Sequence, residues 1–315
     1  MTDPGTRPEH DVRTDRGRLV PDRAALPRPA SGFEGLPPGE AVLESASGIS
    51  GGVRVTVQPT GPLTLAIDVG GKGLKASVLD ETGAMVADRV RVPTAYPMSP
   101  DGDPGMVGRL AAMVAPLPAY DRVSLGFPGM VRHGRILSAP AFVTKAGLGS
   151  PVDPELAKAW AGFDLAGALT ARLGRPTKVA NDADVQGLAV VVGQGLEIVI
   201  TLGTGFGTAF FLDGALLPHL EVAHQPFRKA ETYNDQLGER TRKEIGDARW
   251  GRRVRKAIEN LDALVFFDHL YIGGGNARRV SRDRLGDLLE RITVVDNAAG
   301  ILGGIRLWEG EHLGL

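Results

Sequence analysis

The residues with the plainest chemical potential lie in LAIDVGGKGLKASVLD, Leu65 to Asp80. There an apolar strand reaches Asp68 and runs into Gly70, Gly71, Lys72 and Gly73, with Lys75 close behind. Glycines let a backbone approach an anion closely, and successive N–H groups can line a concave anion site. A carboxylate at a strand end could hold Mg²⁺, an ion that keeps much of its water shell, while the two lysines could neutralise phosphate charge. The same residues also read as an ordinary glycine hairpin in which Asp68 caps the turn. Strand resumes at once, so this is not the G-x-G-x-x-G dinucleotide fingerprint, which leads into a helix.

A second stretch, IVITLGTGFGTAFFLD (Ile198 to Asp213), has nearly the same rhythm. With Asp68 laid over Thr201, Gly70 falls on Gly203, Ala76 on Ala209 and Asp80 on Asp213. Gly203, Thr204, Gly205 and Gly207 repeat the loop chemistry with hydroxyls in place of the acid. Two such hairpins facing each other would clamp a phosphate chain from both sides. A chain that makes this turn twice is expected to be built from two related halves.

Between the hairpins, VANDADVQG carries an apolar strand to Asn181 and Asp182 just before a helix begins. A carboxylate placed there can act as general base toward a hydroxyl while the amide orients it. Asn and Asp are equally N-cap residues, and spacing alone favours capping; with Asp182 and Asp184 both present, one acid can cap while the other reacts. In LEVAHQPF, Glu221 and His224 offer an acceptor and a donor to a polyol, although such a pair is more often a surface or internally satisfied one. In RKEIGDARWGRRVRKAIENL, Trp250, Val254, Ile258 and Leu261 form an apolar stripe, with Arg249, Arg252, Arg253 and Lys256 on another face. That face reads as a solvated helix surface or, more sharply, as a basic track for a long polyanion.

These residues need elements to hold them. A chain of 315 residues exceeds a single core, so two domains are expected. Net charge is −1, which gives no global basicity for nucleic acid and no charged block for a membrane surface. Cysteine is absent, excluding disulfides and thiolate zinc sites. No run approaches the length of a membrane span and the N-terminus lacks an apolar signal core, so a cytoplasmic protein is expected. Residues 1–61, rich in Pro, Gly, Arg and Asp, read as a disordered or loosely attached tail with one short strand at GGVRVTVQP. From Leu63, LTLAIDV, KASVLD and MVADRVRVP predict a three-stranded meander, DPGMVGRLAAMVAPL a helix and RVSLGFPG a buried strand. DPELAKAWAGFDLAGALTARLG follows as a helical segment with Asp153 at its N-cap and Pro154 at its first position. PTKVANDADVQGLAVVVGQG then gives a strand breaking into a helix, and a second meander, a charged helical segment from Asp235, a strand in LVFFDHLYIGGG and a final helix in NAAGILGGIRLWEG complete the chain. The expected architecture is α/β, with an N-terminal domain over 62–180 and a C-terminal domain over 181–295. Each has a mixed sheet flanked by helices, and the helix at about 296–312 packs back on the first domain.

Taken in order, AIDVGGKGLKASV, GFPGMV, WAGFDL, NDADVQGLA, ITLGTGFGTAFFLDG, EVAH and YIGGGNARR resemble the ROK sugar kinases of the actin/hexokinase/Hsp70 superfamily, in particular their polyphosphate glucokinases. The resemblance runs from about Leu63 to the C-terminus. It implies a two-domain actin-like ATPase fold, ribonuclease H-like, with duplicated mixed β-sheets and a central cleft. It also implies a hexose kinase, foremost a glucokinase, with Asp182 as the general base that deprotonates the sugar 6-hydroxyl. Asn181, Glu221, His224 and, more weakly, Glu231 would hold the sugar; Asp68 would sit near Mg²⁺. The turns at Gly70–Gly73 with Lys72 and Lys75, and at Gly203–Gly207 with Thr204, would cradle phosphates, and Gly273, Gly274 and Gly275 would lie by a nucleotide base. The implied donor is polyphosphate, ATP or both, without structural zinc, and the expected assembly is a homodimer with no nucleic acid or membrane partner. Three departures stand out: Lys72 replaces the usual Ser or Thr, Ala223 the usual Gly, and APAFVTKAGLGSPVDPELAKAW is long and lacks the expected sugar-binding Asn. The alternatives are an ATP-dependent kinase for fructose or an N-acylated hexosamine, or a catalytically degenerate sugar binder. The family's DNA-binding repressors are a further class, which the Pro- and Gly-rich N-terminus disfavours.

Overall fold

The computed structural model describes residues 61–315 apart from Asp103, residues 296–298 and Gly314, so the expected tail and its GGVRVTVQP strand lie outside the described residues. The chain divides into residues 1–55 and 56–315, and every described element belongs to the second unit.

The first half opens with a meander of β1 (Thr64–Val69), β2 (Gly73–Leu79) and β3 (Val90–Pro93). β1 and β2 are buried at nearly every position, as strands covered on both faces must be. Helix α1 (Met106–Val114) leads to β4 (Arg122–Phe127), which runs parallel to β1. A short hairpin of β5 (Val131–Arg132) and β6 (Arg135–Ile136) follows, then helices α2 (Pro154–Trp160) and α3 (Leu165–Leu173). The expected Asp153 cap forms, accepting from the Glu155 and Leu156 N–H groups with Pro154 at the first helical position. The helical segment is interrupted, however: Gly162 takes a φ of 72° that a β-carbon disfavours, and Asp164 caps a fresh helix through the Gly167 N–H. Strand β7 (Thr177–Asn181) pairs parallel with β4 and passes directly into α4 (Asp182–Leu188). The resulting sheet has the order β3-β2-β1-β4-β7.

The second half repeats this plan with β8 (Leu196–Leu202), β9 (Phe206–Leu212) and β10 (Ala215–Leu216) as its meander. A small hairpin of β11 (Pro226–Arg228) and β12 (Glu231–Thr232) precedes three helices, α5 (Tyr233–Leu237), α6 (Glu239–Ile245) and α7 (Asp247–Val265). The parallel strands β13 (His269–Gly273) and β14 (Ile292–Val294) complete a sheet of order β10-β9-β8-β13-β14. The duplication is therefore topological, with an antiparallel hairpin followed by two parallel strands in each half. The sequence overlay is correct up to the turn and then slips by one. Val69 faces Leu74, whereas Leu202 faces Phe206, because the second turn is one residue shorter. Ala76 thus corresponds in pairing to Thr208 rather than to Ala209. Two boundaries also differ from expectation. The charged helical segment breaks at Gly246, with φ of 78°, and α7 continues to Val265 with Phe266 as a left-handed cap, so Leu264 and Val265 belong to the helix and the strand begins only at His269.

Each sheet has its own apolar core, and the Trp250, Val254, Ile258 and Leu261 stripe of α7 is buried in the second. The final helix α8 (Ala299–Arg306) ends before the expected boundary at about 312 and packs against β1 and α4. Its glycines permit that approach: a β-carbon on Gly303 would strike the Val185 carbonyl, and one on Gly304 would crowd Ala66 and Ser124. Ser124 donates to the Gly304 carbonyl and Arg306 donates to the Leu188 and Val191 carbonyls at the end of α4. No helix among the described residues is long and apolar enough to cross a membrane.

Candidate active site

The junction of β7 and α4 decides how three polar residues share their work. Asn181, 5% exposed, is the N-cap: its side-chain oxygen accepts the Ala183 N–H at 2.8 Å, and its amide donates to the Gly129 carbonyl at 2.9 Å. One amide hydrogen is left for a ligand. Asp184, one turn into the helix, points inward and meets Nδ1 of His219 at 3.0 Å. Among the described residues Asp182 has only the backbone N–H of Ala183 as partner, at 3.0 Å. Burial pushes its carboxyl up from the ordinary range to about 7, and the Asp68 charge adds to the rise. Asn181 thus caps the helix and Asp184 pairs with His219, so neither acid is the N-cap, and among the described residues Asp182 has no side-chain hydrogen-bond partner. β4 runs alongside this junction: a β-carbon built on Gly126 would lie in van der Waals contact, 3.4 Å from the Asp182 Cα.

His219 has no place in the sequence-based site. It is 6% exposed and stands between two acids, with Nε2 3.8 Å from Glu221 and, among the described residues, without a hydrogen-bond partner. Burial alone would drive the proton off this ring; the Asp184 and Glu221 carboxylates reverse that and push it up to about 10. His219 therefore carries a positive charge that neutralises Asp184 and faces Glu221. Glu221 is only 19% exposed at its side chain; burial would raise it, but His219 and the nearby exposed His224 hold it below the ordinary range. The sequence signal was the spacing PHLE, since residues two apart in an extended segment share a face. Arg132 of the β5–β6 hairpin donates to the His219 carbonyl at 3.4 Å and ties the first half to this segment. Glu231 lies apart from this group: it accepts from Gln236, and its charge acts on Arg253.

The two glycine turns are held rigidly. In the first, the Gly70 N–H donates to the Gly73 carbonyl, Thr94 donates to the Gly70 carbonyl and Tyr96 to the Gly71 carbonyl. In the second, the Gly203 N–H donates to the Gly205 carbonyl, and the Asn234 side chain accepts the Phe206 N–H at 3.0 Å. Among the described residues no acceptor takes the N–H groups of Gly71, Lys72, Thr204 or Gly205, so each turn presents unused donors. The turns also sense one another. Glu239, whose N–H donates to the Gly203 carbonyl, is held below the ordinary carboxyl range by Lys243 and, to a lesser degree, by the Lys72 charge.

The glycines after β13 join the second turn. Gly274 has a φ of 86°, and a β-carbon there would lie 2.5 Å from the Leu202 carbonyl oxygen, so backbone approaches backbone. Asn276, which follows Gly273, Gly274 and Gly275, binds the Leu202 carbonyl through its N–H and the Gly203 carbonyl through its side chain. Asn234 and Asn276 are further residues the sequence reading missed. Asp68, at the end of β1, bonds Lys75 at 2.9 Å and retains 27% exposure. Among the described residues no group of three or more His or acidic side chains gathers to hold a metal ion. A single carboxylate suits an ion bound mainly through water and substrate phosphates, as Mg²⁺ is in many phosphoryl-transfer sites.

Comparison with known proteins gives the same direction. The ROK family model matches residues 64–220. The polyphosphate glucokinase of Mycobacterium tuberculosis strain H37Rv is 29% identical over 253 residues, covering 75% of this chain and 88% of that protein. An N-acetylmannosamine kinase of Escherichia coli is 30% identical over 161 residues, 49% of each chain. Among solved structures, the inorganic polyphosphate/ATP-glucomannokinase of Arthrobacter sp. strain KM superposes with a TM-score of 0.63 at 30% identity, covering 78% of this chain and 98% of that one.

Proposed function

Because this chain belongs to the ROK family, with the duplicated actin-like α/β fold of those sugar kinases, we propose that it is a glucokinase that transfers the terminal phosphoryl group of polyphosphate, ATP or both to the sugar 6-hydroxyl. The observation that carries this reading is Asp182, an unpaired carboxylate raised to about 7 beside two turns of unused N–H donors. A base poised near neutral pH accepts a hydroxyl proton with the best balance of availability and strength. In the proposed reaction Asp182 removes the 6-hydroxyl proton as that oxygen bonds to the terminal phosphorus. The bond to the bridging oxygen breaks, and a chain shortened by one phosphate, or ADP, departs. Glu221, His224 and the remaining amide hydrogen of Asn181 orient the sugar, and His219 keeps Glu221 ionised for that purpose. The turns at Gly71–Lys72 and Thr204–Gly205 hold the donor phosphates; phosphoryl transfer depends mostly on such alignment and charge neutralisation. Mg²⁺, held by Asp68 and the donor, would supply further charge neutralisation.

A second reading is favoured by the N-acetylmannosamine kinase similarity and by Ala223 beside the candidate sugar residues: an N-acylated hexosamine as acceptor. The experiment that tests catalysis is Asp182→Ala. Turnover is expected to fall about 10²–10⁴-fold with sugar affinity retained. Unchanged turnover would remove Asp182 from the mechanism.

A further inference from the structure

The basic face of α7 lines a groove of about 480 Å³ together with Phe227 and Arg228 of β11 and Ile245 at the end of α6. Its cations are Arg228, Arg249, Arg252, Arg253 and Lys256. Among the described residues, no carboxylate lies within ion-pair distance of the four arginines, and Lys256 only shares Glu259, at 3.5 Å, with Arg255. The Glu231 charge also acts on Arg253, against burial and the repulsion of Arg228. Concentrated like charge without internal neutralisation is a standing cost that a bound anion relieves. Residues 249, 252, 253 and 256 recur on one helix face over about 10 Å of axis, which suits an extended chain of charge rather than a single anion.

The groove is tied to the candidate site by its aromatic wall. Phe227 packs on Tyr233 with ring centroids 4.6 Å apart, and Tyr233 packs on Phe206, the residue after the second glycine turn, at 5.5 Å. Asn234, beside Tyr233, holds the Phe206 N–H. We infer that the groove lined by Arg228, Arg249, Arg252, Arg253 and Lys256 binds the distal part of an inorganic polyphosphate chain whose end is consumed at the glycine turns. This rests on the kinase reading and deepens it. A nucleic acid would want stacking surfaces; the one ring lining the groove, Phe227, is part-buried and already packed on Tyr233.

The test uses the full chain and the variant Arg249→Gln/Arg252→Gln/Arg253→Gln. Binding of long-chain polyphosphate, tripolyphosphate and ATP is measured by calorimetry without sugar across a salt series, and each is then assayed as donor. Long-chain Kd and KM are expected to rise roughly tenfold to a hundredfold, and the slope of log affinity against log salt to shrink by about 2. The constants for tripolyphosphate and ATP should not move. Unchanged long-chain affinity in the variant overturns the proposal, as does tighter parent binding of oligothymidylate than of polyphosphate of equal charge. If no donor supports transfer, the kinase reading fails by itself; loss of long-chain affinity in the variant still upholds the groove, and retention still overturns it. Arg252→Glu alone, at an exposed position, supplies the same readout if the triple variant loses its fold.

Discussion

Replacing Asp182 by Asn should make the protein more stable at neutral and alkaline pH while abolishing its turnover. The carboxyl is raised from 3.8 to about 7 in the folded chain, first by burial and then by Asp68. A carboxyl raised on folding binds more protons in the native than in the unfolded state, so it opposes stability as pH climbs from its unfolded value to its folded one. That penalty is absent below about pH 4, grows to about pH 7 and is then constant. At about 1.36 kcal/mol per pH unit the full range corresponds to about 4 kcal/mol. Asp182 is only part-buried at the surface of its helix, so solvent reduces this to about 2 kcal/mol. Asn keeps the side-chain oxygen that accepts the Ala183 N–H and carries no charge. Thermal unfolding across pH 5 to 8.5 should therefore show the variant's advantage widening with pH, up to about 4–8 °C, then levelling. The parent's turnover should rise through the same interval as the base ionises. An advantage that is absent at pH 8.5, or that does not change with pH, refutes the assignment of an unpaired, raised carboxyl to this position.

His219→Gln removes the cation between Asp184 and Glu221 and should cost about 3–5 kcal/mol. Because the ring is raised from 6.5 to about 10, the parent's advantage is complete below about pH 6.5 and fades toward pH 10, which urea unfolding at several pH values will show. Sugar KM should rise in this variant more than kcat falls, as Glu221 loses its counter-charge. Lys72→Thr should raise donor KM roughly three- to tenfold with little change in sugar KM; a change in sugar KM alone would place Lys72 outside the donor site. Gly274→Ala forces a β-carbon into the Leu202 backbone at positive φ and should destabilise by about 2–4 kcal/mol, measured by chemical unfolding.

The parts of the site that could be read from sequence are those encoded locally. Two Gly-rich turns between strands, and a strand ending in Asn181–Asp182 ahead of a helix, are short-range patterns, and the structure builds both as hairpins and as a capped helix. His219 escaped because its partner Asp184 lies 35 positions away and no spacing rule joins them. Asn234 and Asn276 escaped for the same reason, since each stabilises the second turn from another segment. The one-residue slip between the halves was invisible because strand pairing, not letter matching, sets register, and the two turns close differently. Helix breaks at Gly162 and Gly246 were underweighted against a strong apolar periodicity on either side. The buried stripe and basic face of α7 were legible, but the groove needed β11 and the end of α6 to supply its other wall.

The most direct measurement is a cross of acceptors (glucose, fructose and N-acetylmannosamine) with polyphosphate and ATP as donors, scored by identifying the phosphorylated position. The account predicts a 6-phosphate formed from glucose, with polyphosphate supporting transfer. Transfer from ATP alone would leave the glucokinase reading standing and contradict the inference that a polyphosphate chain is consumed at the glycine turns. No transfer from either donor, with sugar still bound, would contradict the central claim that Asp182 and the two glycine turns form a working phosphotransferase.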